Sequence, residues 1–476
     1  MWRKLTPVVF VLAILFVGIH SVAGRPISSS PGIPAEELAL AISAAAPGDT
    51  ITVDGGVFYG ALNIDKPLTI IGINRPVIDG QEQGTVVRIT GAGSTISGFT
   101  IRHSGSSLDM ENSGMAVEAR GVTVENNIFE DTLFGIYLRE AHQSIVRDNQ
   151  INNKALELPR RGDGIRVWSS NDVLIEGNTV KNGRDVVLWY SERLTVQDND
   201  VQNGRYGLHF MYCDDAHIKQ NRLINNSVGA FLMYSRRMTM QQNTVAHNRG
   251  PSGYGIGMKD MDDAVVENNV FLDNRIGAYL DGSPREVDST GRFTGNVFAY
   301  NDVGVQMLPA VRHNEFSANS FVENEEQMAI AGRGTPGENV WTVGNTGNYW
   351  SDYAGFDADQ DGIGDIAYRS ERLFENLMQQ EPNLRLFRYS PVVNALDFAA
   401  TAFPLVRPQP KLVDGQPLTA PRLPAGTPPL PQPAGYTWYW VTPLLLILSL
   451  ALIALPRRHS HYYQFERTAV RKGTIQ

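Results

Sequence analysis

An asparagine that returns at near-constant spacing constrains this chain more than any other feature. Set beneath one another, TVENNIF, IVRDNQI, LIEGNTV, TVQDNDV, HIKQNRL, TMQQNTV and VVENNVF share one pattern. Each has an apolar residue, a polar pair, an Asn, and an apolar residue two places on. The anchors are Asn127, Asn149, Asn178, Asn199, Asn221, Asn243, Asn269, Asn296 and Asn319, spaced by about 22 residues in most coils. Between them recurs a second strand-like string: FGIYL, DGIRVW, DVVLWY, YGLHFMY, VGAFLMY, YGIGMKD, IGAYLD and VGVQML. This period, with β-branched segments and Asn or Gly at corners, is one coil of a right-handed parallel β-helix. A single coil cannot bury its apolar face, so coils must stack. Stacked asparagines can then form a ladder of amide hydrogen bonds. A leucine-rich repeat has a similar period but needs its leucine signature and a helix per repeat, and neither is visible. The expected fold class is therefore all-β, a solenoid. PAEELALAISAAAPGDTITV reads as a capping helix and a turn into a first strand near Thr50.

The two ends have different characters. Arg3 and Lys4 precede an apolar run from Val8 to Ile19 and the small-residue triplet Ser21-Val22-Ala23. That is the pattern of a secretory signal peptide. Near the other end, Trp438 to Leu455 carries no charge and is about long enough to span a bilayer. Tyr436, Trp438, Tyr439 and Trp440 suit an interface, and Arg457, Arg458, Arg467, Arg471 and Lys472 suit the cytoplasmic side. The expected order is a signal peptide over 1–23, the solenoid over 24–335 and an acidic capping segment over 336–390. A proline-rich linker over 391–436, a transmembrane helix over 437–456 and a basic tail over 457–476 follow. The body would then lie in the periplasm, anchored in the cytoplasmic membrane by its C-terminal helix. The net charge is −9 although both ends are basic, which argues against a nucleic-acid partner. With one cysteine there is no internal disulfide.

Alternation along the second strand separates two faces. Ile136/Leu138, Ile165/Val167, Val186/Leu188, Leu208/Phe210, Ala230/Leu232, Ile256/Met258, Ala278/Leu280 and Val305/Met307 form the expected interior. The intervening residues face out. They are polar or charged toward the ends, but in the middle they are Trp168, Trp189, His209, Met211, Phe231 and Met233. An apolar patch on a solvated face usually meets something. Thioethers select Cu(I) over hard cations, imidazole also suits copper, and an indole face attracts cations. His209, Met211 and Met233 are thus candidate Cu(I) ligands, with Trp189 as a shield and Cys213 as a further candidate. A sticky docking patch for a partner protein explains the same residues.

Residues 357–365 read DADQDGIGD. Alternating carboxylates before a glycine begin a calcium loop, which makes Asp357, Asp359, Asp361 and Asp365 candidate Ca2+ ligands. The twelfth position is Tyr368 rather than the bidentate Glu of an EF-hand, so an EF-hand is rejected. A solvated acidic turn accounts for the segment equally well.

The run from Gly183 to Pro284 resembles the NosD family, in GRDVVLWYSERLTV, GRYGLHFMYCDDAHI, NSVGAFLMYSRRMTM, NRGPSGYGIGMKD and GAYLDGSP. The likeness extends over the leader, the PGDTITV entry and the N-terminal coils. It implies a periplasmic solenoid that helps mature nitrous oxide reductase by delivering copper. Its implied partners are an ABC-type ATPase and permease, the reductase and a copper-delivering lipoprotein. Two other classes stay open. Parallel β-helices include polysaccharide-cleaving enzymes, for which Asp214, Asp215, Asp260, Asp262 and Asp263 near Arg236 and Arg237 are candidates. The third is a metal-free docking scaffold.

Overall fold

The computed structural model describes residues 25–28, 35–332 and 338–371, and farther on chiefly 381–387, 390–402 and 410–430. Each coil contributes one strand to each of three parallel sheets, with twelve strands in one and thirteen in each of the others. Strands that neighbour in space are three elements apart in sequence, as a solenoid requires. The twelve-stranded sheet carries the longest strands, including Asp185–Trp189, Tyr206–Met211, Val228–Met233 and Tyr254–Lys259. We call it the long-strand sheet.

The expected interior set is the observed one. Every residue of it, from Ile136 to Met307, is at most 1% exposed and belongs to one continuous core. The asparagine ladder also forms. Asn199 donates from its backbone N and from Nδ2 to Asn221 Oδ1, at 3.0 and 2.9 Å, and Asn221 repeats both bonds to Asn243. The residue before each anchor turns the chain through the left-handed region, as at Asn126, Asp148, Asp198, Gln220 and Gln242. Short polar residues tolerate that conformation best, which explains the polar pair in the repeat.

A second ladder runs through Asn226, Asn248, Asn274, Asn301 and Asn324 at the corner leading into the long-strand sheet. Each member follows an anchor asparagine by five residues in sequence, a signal that the repeat contains but that was not read from it.

The ends are closed. Helix Ala35–Ala44 buries Leu38 and Ile42 on the first coil, and Lys66 Nζ donates to its C-terminal carbonyl of Ser43 at 2.6 Å. Strand Arg25–Ser28 pairs with Ile51–Asp54, one strand earlier than the expected start. At the other end Trp350 and Tyr368 continue a stack that runs through Phe271, Phe298 and Phe321.

The proline-rich linker expected over 391–436 is corrected in two places. Pro391–Ala402 is a helix, and Leu412, Asp414 and Leu418 are buried against the solenoid end. Buried Asp414 Oδ2 accepts from Asn348 N, at 2.7 Å, and from Trp350 Nε1, so it terminates the first asparagine ladder. No helix among the described residues is long and apolar enough to cross a membrane. The expected signal peptide over 1–23 and basic tail lie outside the described residues, as does the span 437–456 except for Ser449.

Candidate functional site

The central coils place the soft residues in a grid. Along one outward column of the long-strand sheet run Trp168, Trp189, Met211, Met233 and Lys259, each the in-register partner of the next. Along the other run Arg166, Val187, His209, Phe231 and Gly257. Met211 and Met233 are thus neighbours across one strand spacing, about 4.8 Å. Both are half-buried. His209 lies two residues from Met211 on the same face.

His209 is less exposed than alternation suggests, at 7%. Trp189 and Tyr206 meet its ring edge-to-face, with centroids at 5.2 and 4.9 Å. Its Nδ1 lies 3.3 Å from Asp185 Oδ2. Asp185 in turn accepts from Arg205 Nε at 3.0 Å and from the Arg205 terminal nitrogen. Burial pushes the Asp185 carboxyl up, but hydrogen bonds from His209 and Arg205 outweigh it and hold the group below the ordinary aspartate range. Asp185 stands where most neighbouring coils have glycine. At Gly207 a Cβ would sit 2.5 Å from the Gly229 carbonyl oxygen. A register shift between Asp185 and Val187 accompanies the one side chain that occupies this column. A break in the glycine column was the sequence signal for Asp185.

Trp189 is half-buried, with the Arg166 guanidinium 5.9 Å from its ring centroid and its Nε1 buried without a hydrogen-bond partner. A resident cation therefore already lies against the indole.

Cys213 is not part of this face, which corrects its candidacy as a ligand. Tyr212 adopts a left-handed conformation at φ 56°, and the chain turns so that Cys213 points into the core, fully buried. Its Sγ donates to the Leu188 carbonyl at 3.0 Å, and burial pushes the thiol up to about 12. It takes the place that Ser170, Ser191 and Ser235 fill on other coils, where each hydroxyl bonds the carbonyl two residues back. The aligned strings SSN, YSE, YCD and YSR carried that equivalence.

The same corner exposes tyrosines that sequence reasoning did not single out as a group. Tyr190, Tyr212 and Tyr234 are all left-handed, and they stack at 5.2 and 5.1 Å. They form a wall beside the Trp189–Met211–Met233 column.

Elsewhere the carboxylates of the enzyme alternative are engaged between coils. Asp214 pairs with Arg236 at 2.9 Å, Asp215 with Arg237 at 2.7 Å, and Asp262 Oδ1 accepts from the backbone of Arg285 and Glu286. In the acidic loop, Asp357, Asp359 and Asp361 bring ligand oxygens within 4.8 Å of one another. Asp365 is not in that group. Its carboxylate accepts from Ala358 N at 2.7 Å. A second cluster, Glu82, His103 and Asp131, already holds a cation: Lys154 Nζ lies 2.6 Å from Glu82 and 2.8 Å from Asp131.

These features define a β-solenoid whose long-strand sheet carries a buried imidazole and two half-buried thioethers on its outward columns. Comparison with known proteins agrees with that class. Residues 151–355 match the family model described as periplasmic copper-binding protein (NosD), and residues 71–185 match a right-handed β-helix region. A probable ABC transporter binding protein NosD of Pseudomonas aeruginosa is 30% identical over 433 residues, 88% of this chain and 96% of that protein. Its namesake in Stutzerimonas stutzeri is 27% identical, over 86% and 92% of the two chains. The chain belongs to the NosD family. These relatives are named as binding proteins, not enzymes. Among solved structures, the catalytic domain of an α-1,3-glucanase aligns with 68% of this chain and 69% of its own, at 12% identity and a TM-score of 0.49. A likeness of that degree carries no argument about activity.

Proposed function

We propose that this protein is a periplasmic copper carrier that hands Cu(I) to nitrous oxide reductase during its maturation. The observation that supports this most directly is the in-register pair Met211 and Met233 beside a histidine whose Nδ1 is bound to a carboxylate. Two thioethers one coil apart close on one ion with small rotamer changes, and His209 completes a three-ligand set. Such a set favours Cu(I) and discriminates against calcium and magnesium, which want oxygen ligands. Trp189 shields the ion from water. In this reading the partners are an ABC-type permease and ATPase, the reductase, and a lipoprotein that supplies copper. The apolar stretch 437–456 anchors the chain in the cytoplasmic membrane. Asp357, Asp359 and Asp361 take Ca2+ as a structural ion.

The test is a Cu(I) titration of the purified full-length chain against a chromogenic Cu(I) chelator. Removal of one copper equivalent from the chelator supports the reading. A chain that leaves the chelator fully loaded overturns it and leaves the metal-free scaffold.

A further inference from the structure

The buried charges behind His209 have a direction. Asp185 is fully buried as a side chain, and an ionised carboxylate can only accept hydrogen bonds. A proton shared between it and His209 therefore belongs to Nδ1, and in the neutral ring that tautomer keeps the lone pair on Nε2. Arg205 supplies Asp185 with its permanent counter-charge through two nitrogens. Trp189 and Tyr206 grip the ring edge-to-face from two strands, so it cannot turn over without breaking both contacts. A carboxylate on the distal nitrogen is what makes an imidazole a strong and oriented metal donor.

We infer that Asp185, held by Arg205, is the positioning residue of the copper site: it selects the Nδ1–H tautomer of His209 and presents Nε2 as the ligand. This rests on the copper reading above and assigns a residue that does not touch the metal. A register shift accompanies Asp185, and glycine, which most neighbouring coils carry at this position, would leave the imidazole without this acceptor. Tyr206 acts with it, since its backbone N also donates to Asp185 Oδ1 at 3.2 Å.

The experiment uses the full chain in two measurements. The first needs no substitution. Nitrogen NMR of histidine-labelled metal-free protein reads the tautomer of His209, assigned with His209→Gln. The inference expects a protonated Nδ1 and a bare Nε2, and a protonated Nε2 overturns it. The second compares Cu(I) affinities by chelator competition. Asp185→Asn should weaken binding on the order of 10–100-fold. Asp185→Glu should recover part of the loss, and Asp185→Asn should add nothing in a His209→Gln background. A merely structural Asp185 would lower affinity equally in both backgrounds, which overturns the inference. If His209→Gln weakens binding while Asp185→Asn leaves it unchanged, the positioning role fails and the copper site stands. If His209→Gln itself leaves Cu(I) binding unchanged, the ligand set of the copper reading has failed, and this inference with it.

Discussion

Met211 and Met233 stand side by side on adjacent parallel strands, each the register partner of the other, and neither belongs to the core. Their removal therefore separates binding from folding. Met211→Ala with Met233→Ala should lower Cu(I) affinity at least tenfold in chelator competition, while the cooperative melt stays within a few degrees of wild type. A double variant with wild-type affinity would falsify the thioether site. A double variant that no longer melts cooperatively would show that these side chains support the fold.

Cys213 fills a serine position with its thiol turned inward. Cys213→Ser should keep both Cu(I) affinity and stability, the latter within about 1 kcal/mol by urea denaturation. Native protein should also resist thiol alkylation until it is unfolded, because the thiol is buried and protonated. A sharp loss of copper in Cys213→Ser would return the sulfur to the site.

Asn221 accepts two hydrogen bonds through Oδ1 and donates two through Nδ2, to Val196 O and to Asn243 Oδ1. Asn221→Ala removes partners from buried groups on the two flanking coils, and each group left unsatisfied costs about 1–3 kcal/mol. A large drop in the urea midpoint is expected, whereas the exposed Arg222→Ala should change it little. Equal effects would mean that the ladder contributes no stability.

Asp163 is fully buried, and burial pushes its carboxyl up from 3.8 to about 6 despite Arg166 and Arg184. Its Oδ2 lies 3.1 Å from Arg166 Nε without forming a hydrogen bond. The folded state thus binds the proton more tightly than the unfolded chain. The resulting stabilisation is complete below about pH 4 and is lost as pH rises through about 6. Urea midpoints measured from pH 4 to 7 should decline more steeply in wild type than in Asp163→Asn. Parallel curves would contradict this assignment.

Asp357 accepts from the backbone of Asp361 and Gly362, which holds its carboxylate beside those of Asp359 and Asp361. Calcium should raise the melting temperature of the wild type, and Asp361→Ala should abolish the rise. A wild type indifferent to calcium would leave only a solvated turn.

Much of this was legible along the chain because the determining periods are local. Alternation by two separated Leu208 and Phe210 from His209 and Met211, and the asparagine period placed Met211 opposite Met233. The phase was lost where the strand ends. Nothing in YCD alone says that Tyr212 adopts a left-handed conformation and reverses the direction of Cys213. The linker reading failed for a related reason: proline content describes a segment's own stiffness, while the burial of Asp414 depends on the open end of a ladder that Asn348 presents.

The sequence by itself determined the solenoid, its register and its interior, because each is a repeated short-range preference summed over many coils. Only the tertiary structure decided the surroundings of His209. Asp185 and Arg205 reach it through the stacking of consecutive coils, and Trp189 and Tyr206 roof it from different strands. Apart from the contact with Tyr206 on the same strand, those contacts join side chains set up by a bulge and by packing across coils, and no single coil's pattern contains them.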